Sequence, residues 1–182
     1  MSTENDILTG SLVRLRALEP EDVDLLYRWE NDVDVWKVSN TVVPFSKYTL
    51  RQFIENQRCD IYETRQLRLI IELVETQKPV GAIDLFDVDP YNCRAGVGVL
   101  IYGDQNEGQG YASQALGLLI KYSFMVLMLH QLYCSIVVQN TRSFNLFRSK
   151  GFTVIGVKKE WTRTTSNWQD EYMLQLLNPK EI

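Results

Sequence analysis

Residues 102–115, Tyr-Gly-Asp-Gln-Asn-Glu-Gly-Gln-Gly-Tyr-Ala-Ser-Gln-Ala, constrain this chain more than any other stretch. An extended apolar run, Gly96 to Ile101, precedes them, and a helix-patterned run from Tyr111 to about Met128 follows. Gly108 and Gly110 lack Cβ atoms, so the backbone there can take conformations closed to other residues and ligand oxygens can approach its N–H groups. The first N–H groups of the following helix have no intrahelical acceptor, and the helix dipole adds partial positive charge. Strand, glycine loop and helix together therefore form a site for a phosphate or pyrophosphate. A P-loop would need Lys and then Ser or Thr after its last glycine, where Tyr111 and Ala112 stand. A dinucleotide fingerprint would need three spaced glycines and an acid roughly 20 residues on. Neither pattern fits. What remains is Gly-x-Gly-x-Ala at Gly108 to Ala112, which alone also suits a plain turn.

The rest of the chain supplies the context. Its 182 residues, 45% of them hydrophobic, suit a single domain spanning 1–182 with one core. A net charge of −4 argues against a nucleic-acid partner held through phosphates. Three cysteines, Cys59, Cys93 and Cys134, lack CxxC spacing, and with a single His they give neither a disulfide framework nor a metal site. The first residues lack the basic and apolar regions of a signal peptide. Leu116 to Leu129, the most apolar stretch, is broken by Lys121 and too short to span a membrane. A cytoplasmic protein is expected.

Along the chain, Leu12 to Ala17 alternates as a first strand. Glu19-Pro20-Glu21-Asp22 marks a helix start, with Val23, Leu26, Tyr27 and Glu30 at helical spacing. A second helix is expected from Thr49 to about Tyr62. Extended runs follow at Leu67 to Val74, Val80 to Val88 and Arg94 to Ile101, the first two joined by a turn-like segment through Pro79. Beyond the glycine loop, Ala112, Ala115, Leu116, Leu119 and Ile120 make the stripe of a helix packed on a sheet. Leu132 to Val138 reads as a buried strand, Thr141 to Lys150 as a short helix closed by Gly151, and Thr153 to Trp161 with Trp168 to Leu177 as a hairpin around Thr164-Thr165-Ser166-Asn167.

The order β-α-α-β-β-β-α-β-α-β-β closely resembles the GNAT family of acyl-CoA-dependent N-acetyltransferases over nearly the whole chain. Two stretches carry the resemblance. Ala95 to Ile101 leading into Glu107-Gly108-Gln109-Gly110-Tyr111-Ala112-Ser113 is similar to the family's pyrophosphate loop, and Asn140 to Phe152 resembles its Asn-x-x-[Ser/Ala]-x-x-x-[Tyr/Phe]-x-x-x-Gly-Phe signature. The Leu-x-x-Leu-Arg opening and Trp29-Glu30-Asn31-Asp32 look most like the branch of ribosomal-protein N-terminal and spermidine N-acetyltransferases. The resemblance implies an α+β (α/β) single domain, with a mixed sheet of about seven strands splayed between the fourth and fifth, flanked by about four helices. It also implies acetyl-CoA as co-substrate, with no metal. Backbone N–H groups of Glu107, Gly108, Gln109, Gly110, Tyr111, Ala112 and Ser113 would hold the CoA pyrophosphate. The pantetheine would pair with Val99, Leu100 and Ile101 as an added strand. Asn140 would bind the same arm or simply cap a helix, and Phe147 would lie near the thioester or simply pack in the core.

The implied chemistry is direct attack of a primary amine on the acetyl thioester. An alkylammonium, with a pKa of about 10.4 in lysine, must first lose a proton. The oxygen that gains charge would be met by a strand N–H near Val99 or Leu100. The chain departs from the family pattern at three positions: Phe147 stands where many relatives have a Tyr that serves as general acid, Gly96 where a Glu is common, and Glu107 where Gln or Arg usually opens the loop. The remaining acids on the relevant strands, Asp84 and Glu72, are the candidate catalytic carboxylates. Asp84 lies within an apolar run, although strand alternation can equally turn it to water. His130 reads as marking the exit of the long helix, and Cys134 as a buried strand residue. Trp29, Glu30, Asp32, Asp34 and Trp36 cluster where an ammonium would be held by carboxylates and aromatic faces, unless the tryptophans are core and the acids a solvated helix end. The acceptor would be a small-molecule or peptide amine: a polyamine such as spermidine, an aminoglycoside or a protein N-terminus. No membrane partner is expected, and a homodimer is compatible with the family. A non-catalytic acyl-CoA-binding regulatory module on the same fold is the alternative that Phe147 and Gly96 motivate; a polyamine-binding interaction protein fits the glycine loop poorly.

Overall fold

The extended runs anticipated from the sequence become seven strands of a single sheet. The computed structural model describes residues 6–39, 41–57, 60–164 and 166–179, apart from the side chains of Lys37 and Val38. Cys59 and the turn residue Thr165 lie outside the described residues. In chain order the elements are β1 (Val13–Ala17), α1 (Val23–Glu30), α2 (Val33–Ser39), α3 (Lys47–Asn56), α4 (Ile61–Thr64), β2 (Leu67–Leu73), β3 (Pro79–Asp89), β4 (Arg94–Ile101), α5 (Tyr111–Met125), β5 (Gln131–Val137), α6 (Thr141–Ser149), β6 (Thr153–Arg163) and β7 (Trp168–Leu177). Single 3-10 turns precede α1, at Pro20–Asp22, and α5, at Asp104–Asn106.

The described chain has six α-helices rather than about four, because the N-terminal helical region is broken by local caps. Asn31 ends α1: its Nδ2 donates to the Tyr27 and Phe45 carbonyls, and its Oδ1 accepts from Phe45 N. Asp32 then accepts from Asp34 N at 2.9 Å and starts α2. Ser46 caps α3, accepting from Thr49 N, and Asp60 caps α4, accepting from Tyr62 N. Short side chains that bond the backbone locally thus outcompete helix continuation.

The strand order is β1-β2-β3-β4-β5-β7-β6, antiparallel throughout except for β4 and β5, which run parallel. Each face of the sheet carries a layer. Leu18, Val23, Leu26, Leu50, Ile54 and Ile70 form one cluster under α1 and α3. On the other face Ala115, Leu116 and Leu119 of α5 and Phe147 of α6 pack with Ile71, Ile83, Leu85 and Val97. β2 is covered from both sides, which is why Leu69, Ile70 and Ile71 read as a continuous apolar run. None of the described helices is long and apolar enough to cross a membrane.

The sheet opens between β4 and β5. Their ladder holds only Arg94–Gln131, Ala95–Leu132 and Gly96–Tyr133, after which the strands part. Gly96, the last β4 residue of that ladder, lies opposite Phe86, and a Cβ added to it would stand 2.3 Å from the Phe86 ring. The ring in turn meets Tyr133 edge-on, with centroids 6.3 Å apart. A Glu at this position is therefore excluded by packing, and the aromatic pair braces the point where the sheet splits. Gly96→Ala should cost about 1–3 kcal/mol in urea unfolding. In a Phe86→Ala background the same change should cost much less, because the clash has been removed; equal costs in both backgrounds would refute this account.

Candidate active site

The gap between the parted strands is a cavity of about 630 Å³. Val97 to Ile101 of β4 form one wall and Ser135 to Val137 of β5 the other, with Asn140, Ser143 and Phe147 of α6 between them. Beyond Gly96 the edge of β4 that faces β5 has no ladder partner, so an amide-bearing chain can satisfy it as a strand would. At the far end of β4, Gly108 and Gly110 have φ of +72° and +84°, the left-handed region that only glycine enters freely. Gly110 is the residue before α5, so this backbone leads directly into the first turn of a 15-residue helix, where N–H groups are open to an anion. Gln114 fixes that helix end: its Oε1 accepts from Leu12 N and Val13 N, at 2.7 and 2.8 Å, tying α5 to β1.

Glu107, the loop residue of the wrong charge for a diphosphate, is ion-paired with Arg142 from the first turn of α6. Both line the cavity, and the pair removes the net charge that Glu107 would otherwise bring. Asn140 caps α6 through Oδ1, which accepts from Ser143 N at 3.0 Å, while no acceptor among the described residues holds its Nδ2. Phe147 is buried, packs edge-on against Phe152 and still borders the cavity.

On the side toward α1, strand register assembles a charged array. Arg68 of β2 faces Asp84 of β3, which faces Gly98 of β4, and the missing Gly98 side chain leaves room beside Asp84. Arg68 Nε and Nη2 donate to the two Asp84 oxygens at 2.7 and 3.1 Å, and Nη1 donates to Glu30 of α1. Burial opposes the Arg68 charge, but Asp84 and Glu30 more than reverse that, and its pKa lies above the ordinary value. Tyr102 stacks on Trp29 with centroids 4.0 Å apart and ring planes 3° from parallel. Burial, and then the nearby Glu30 charge, push its phenol above the usual range, so Tyr102 stays an O–H donor.

The predicted residues therefore separate. Glu30, Asp84, Val99, Leu100, Ile101, Glu107, Ala112, Asn140 and Phe147 share the cavity lining. Gly108, Gln109, Gly110, Tyr111 and Ser113 make up the rest of the loop and first turn. Trp29 reaches the acceptor corner through its stack on Tyr102. Trp36 donates its indole N–H to the Glu30 carbonyl, and Asp32 and Asp34 are exposed, Asp32 as the α2 cap. Glu72 is not part of the cavity lining. It is buried at the β1–β2 edge, where Arg14 and Arg16 each donate to it at 2.7 Å. His130 sits exposed just ahead of β5, and Cys134 is buried in the core, its thiol pushed up to about 12. Among the described residues no group of three His, Cys, Asp or Glu side chains could hold a metal. Arg68 and Tyr102 were not anticipated. An arginine opposite an aspartate becomes visible only once the β2–β3 register is known.

The sequence profile of the acetyltransferase (GNAT) domain matches residues 13–153. The chain belongs to the GNAT family. It is an N-acetyltransferase that takes its acetyl group from acetyl-CoA, and the open β4 edge and the glycine loop fit that co-substrate. Among relatives, the "uncharacterized N-acetyltransferase p20" of Bacillus licheniformis is 30% identical over 90% of this chain and 91% of its own length. The spermidine N(1)-acetyltransferase of Vibrio cholerae is 24% identical over 95% and 97%. The crystal structure of the Vibrio cholerae spermidine N-acetyltransferase with CoA and spermine superposes with a TM-score of 0.82 at 22% identity, covering 92% of this chain and 96% of that one. Another structure of that enzyme, described as dodecameric, gives 0.78 at 22% identity over 95% and 98%.

Arg142→Ala should weaken CoA binding by a factor of about three, since it would leave the Glu107 carboxylate unpaired at the loop expected to hold the diphosphate, in a pair that is solvent-screened because both side chains are about half exposed. Adding Glu107→Gln should restore most of that loss. Calorimetric titration with CoA checks both, and a double variant no better than Arg142→Ala would refute the pairing.

Proposed function

We propose that this GNAT acetyltransferase acetylates the primary amine of a small alkylamine, with polyamines such as spermidine as the leading class. The observation that carries this reading is the Glu30–Arg68–Asp84 array beside the Trp29–Tyr102 stack. Two carboxylates face one guanidinium there, which leaves one negative charge at the acceptor end of the cavity. A carboxylate and an aromatic face together suit an alkylammonium. The spermidine acetyltransferases among the relatives support the same class.

Acetyl-CoA supplies the acetyl group as a thioester. The loop from Glu107 to Ser113 would anchor its diphosphate, and the open edge of β4 would take its amide-bearing arm, in the same cavity that Asp84 lines. The β3–β4 ladder holds Val99 and Leu100 rigidly at the cavity wall, so an N–H of one of them would meet the acetyl oxygen as it gains negative charge. Glu30 and the aromatic wall draw in the ammonium. Asp84, directly or through a water, takes its proton, and the freed lone pair then forms the new C–N bond as the C–S bond breaks; CoA leaves as its thiolate, and the second proton on the new amide nitrogen passes through water to that sulfur. Arg68 holds both carboxylates in one geometry and acts as a positioning residue. Phe147 has no proton to give, and its part is to close the apolar side of the site.

Thiol release from acetyl-CoA, assayed with spermidine, spermine, an aminoglycoside and peptides with free N-termini, tests the reading. Spermidine should support turnover, and Asp84→Asn should lower kcat by about 10²-fold or more; because it also weakens the buried pair with Arg68, which Glu30 still holds, it should cost about 2 kcal/mol of stability as well. Glu72→Gln separates the two effects. It should cost about 2 kcal/mol of stability, less than a fully buried pair would because Arg14 is 41% exposed, and leave kcat within a factor of about two. CoA binding without amine-dependent release in any arm would overturn the proposal in favour of a regulatory acyl-CoA-binding role.

A further inference from the structure

Across the cavity from Asp84, the β5–β7–β6 wall carries a second polar cluster that the reaction above does not use. Glu171 of β7 is 6% exposed and lines the cavity together with Ser135 of β5. Lys158 of β6 faces Glu171 directly in the β6–β7 register. Its Nζ donates to Ser135 Oγ at 2.7 Å, lies 3.4 Å from Glu171 Oε2, and sits 4.8 Å from the centroid of the Trp161 ring. The ladder is irregular between Lys158 and Thr162, and Glu160 takes a φ of +48°. This bulge brings two further side chains of β6 to the cluster: Trp161 under the ammonium, and Thr162, whose hydroxyl donates to Glu171 Oε1 at 2.5 Å.

A buried carboxylate held by a hydroxyl, a second hydroxyl exposed at the cavity and a tryptophan face that is 60% exposed together make an open receptor for an alkylammonium, of which Glu171 and Ser135 form the part that lines the cavity. The chain's own lysine fills it. We propose that this cage is a second ammonium subsite of the acceptor cavity and that Lys158, by occupying it, sets how strongly acceptors carrying a distal ammonium are preferred. An acceptor with one amine needs only the Asp84 corner. A diamine or polyamine gains the distal contact only by displacing Lys158 to solvent, and that exchange returns little, because one ammonium replaces another on the same Glu171 oxygen. Without Lys158, Glu171 is a buried carboxylate lacking its cation, and a distal ammonium supplies what is missing.

The inference rests on the alkylamine reading above, and the experiment separates the two. The readout is kcat/KM for spermidine and for diaminobutane, each divided by kcat/KM for butylamine. Lys158→Ala should raise both ratios about tenfold, and Lys158→Arg, which keeps a cation in the cage, should hold them near the parent value. Adding Glu171→Gln to Lys158→Ala should abolish the gain. A merely structural lysine would change the diamine and monoamine rates alike. Unmoved or falling ratios in Lys158→Ala therefore overturn the proposal. Calorimetric titration with spermidine in the absence of acetyl-CoA, and the rise in Tm on adding spermidine, should both be larger for Lys158→Ala than for the parent. These measurements need no turnover. If the parent acetylates no amine, the reading of the reaction fails, while the binding contrast still decides whether the cage exists.

Discussion

The parting of β4 and β5 after three paired residues is the constraint on which the rest of the molecule depends. A parallel pair that stopped short in an ordinary sheet would expose two rows of unpaired N–H and C=O groups and invite aggregation. Here α6 bridges the gap and the exposed rows line a cavity, a shape that suits an extended, amide-bearing ligand. The junction is braced on the α1–α3 side by Phe86, which fills the space over Gly96 and meets Tyr133 across the split. The carboxylate that a side chain at position 96 could have offered is thereby given up, and the acids of the site come from the neighbouring strand and from α1.

Charge around the cavity is handled consistently. Each acid that borders it is paired with a basic residue from a neighbouring element: Asp84 and Glu30 with Arg68, Glu107 with Arg142, Glu171 with Lys158. The partners of Asp84 and Glu171 are their opposite residues in the strand register, so secondary structure alone fixes those pairs. Only the Arg68 array leaves a net negative charge, and it lies next to the aromatic stack of Trp29 on Tyr102. The same pairing logic accounts for Glu72, a buried acid whose two arginines on β1 make it part of the sheet edge.

Much of the cofactor side was legible because it depends on backbone. Gly108 and Gly110 announce left-handed conformations ahead of a helix whatever surrounds them, and the Asn140–Phe152 segment carries its cap and its Gly151 stop locally. Asn140 caps α6 through its Oδ1 and is also one of the cavity-lining residues. The acceptor side was legible only in outline. Asp84 stands out as an acid among apolar neighbours and Glu30 as part of a cluster of acids and tryptophans, but Arg68 and Tyr102 do not, and Glu72 presents the same local pattern as Asp84. What separates Asp84 from Glu72 is the neighbour across the sheet, a quantity with no local signature.

By itself the sequence determined the strands, their order, the glycine loop and the helix it opens, because period-two and period-3.6 patterns, glycines and capping residues act over a few neighbours. The tertiary structure alone decided which charges meet and which carboxylate faces the cavity. Those outcomes depend on strand register and on packing between residues tens of positions apart, such as Arg14 with Glu72 or Gly10 beside Gln114, where one residue of slip would turn every side chain to the other face.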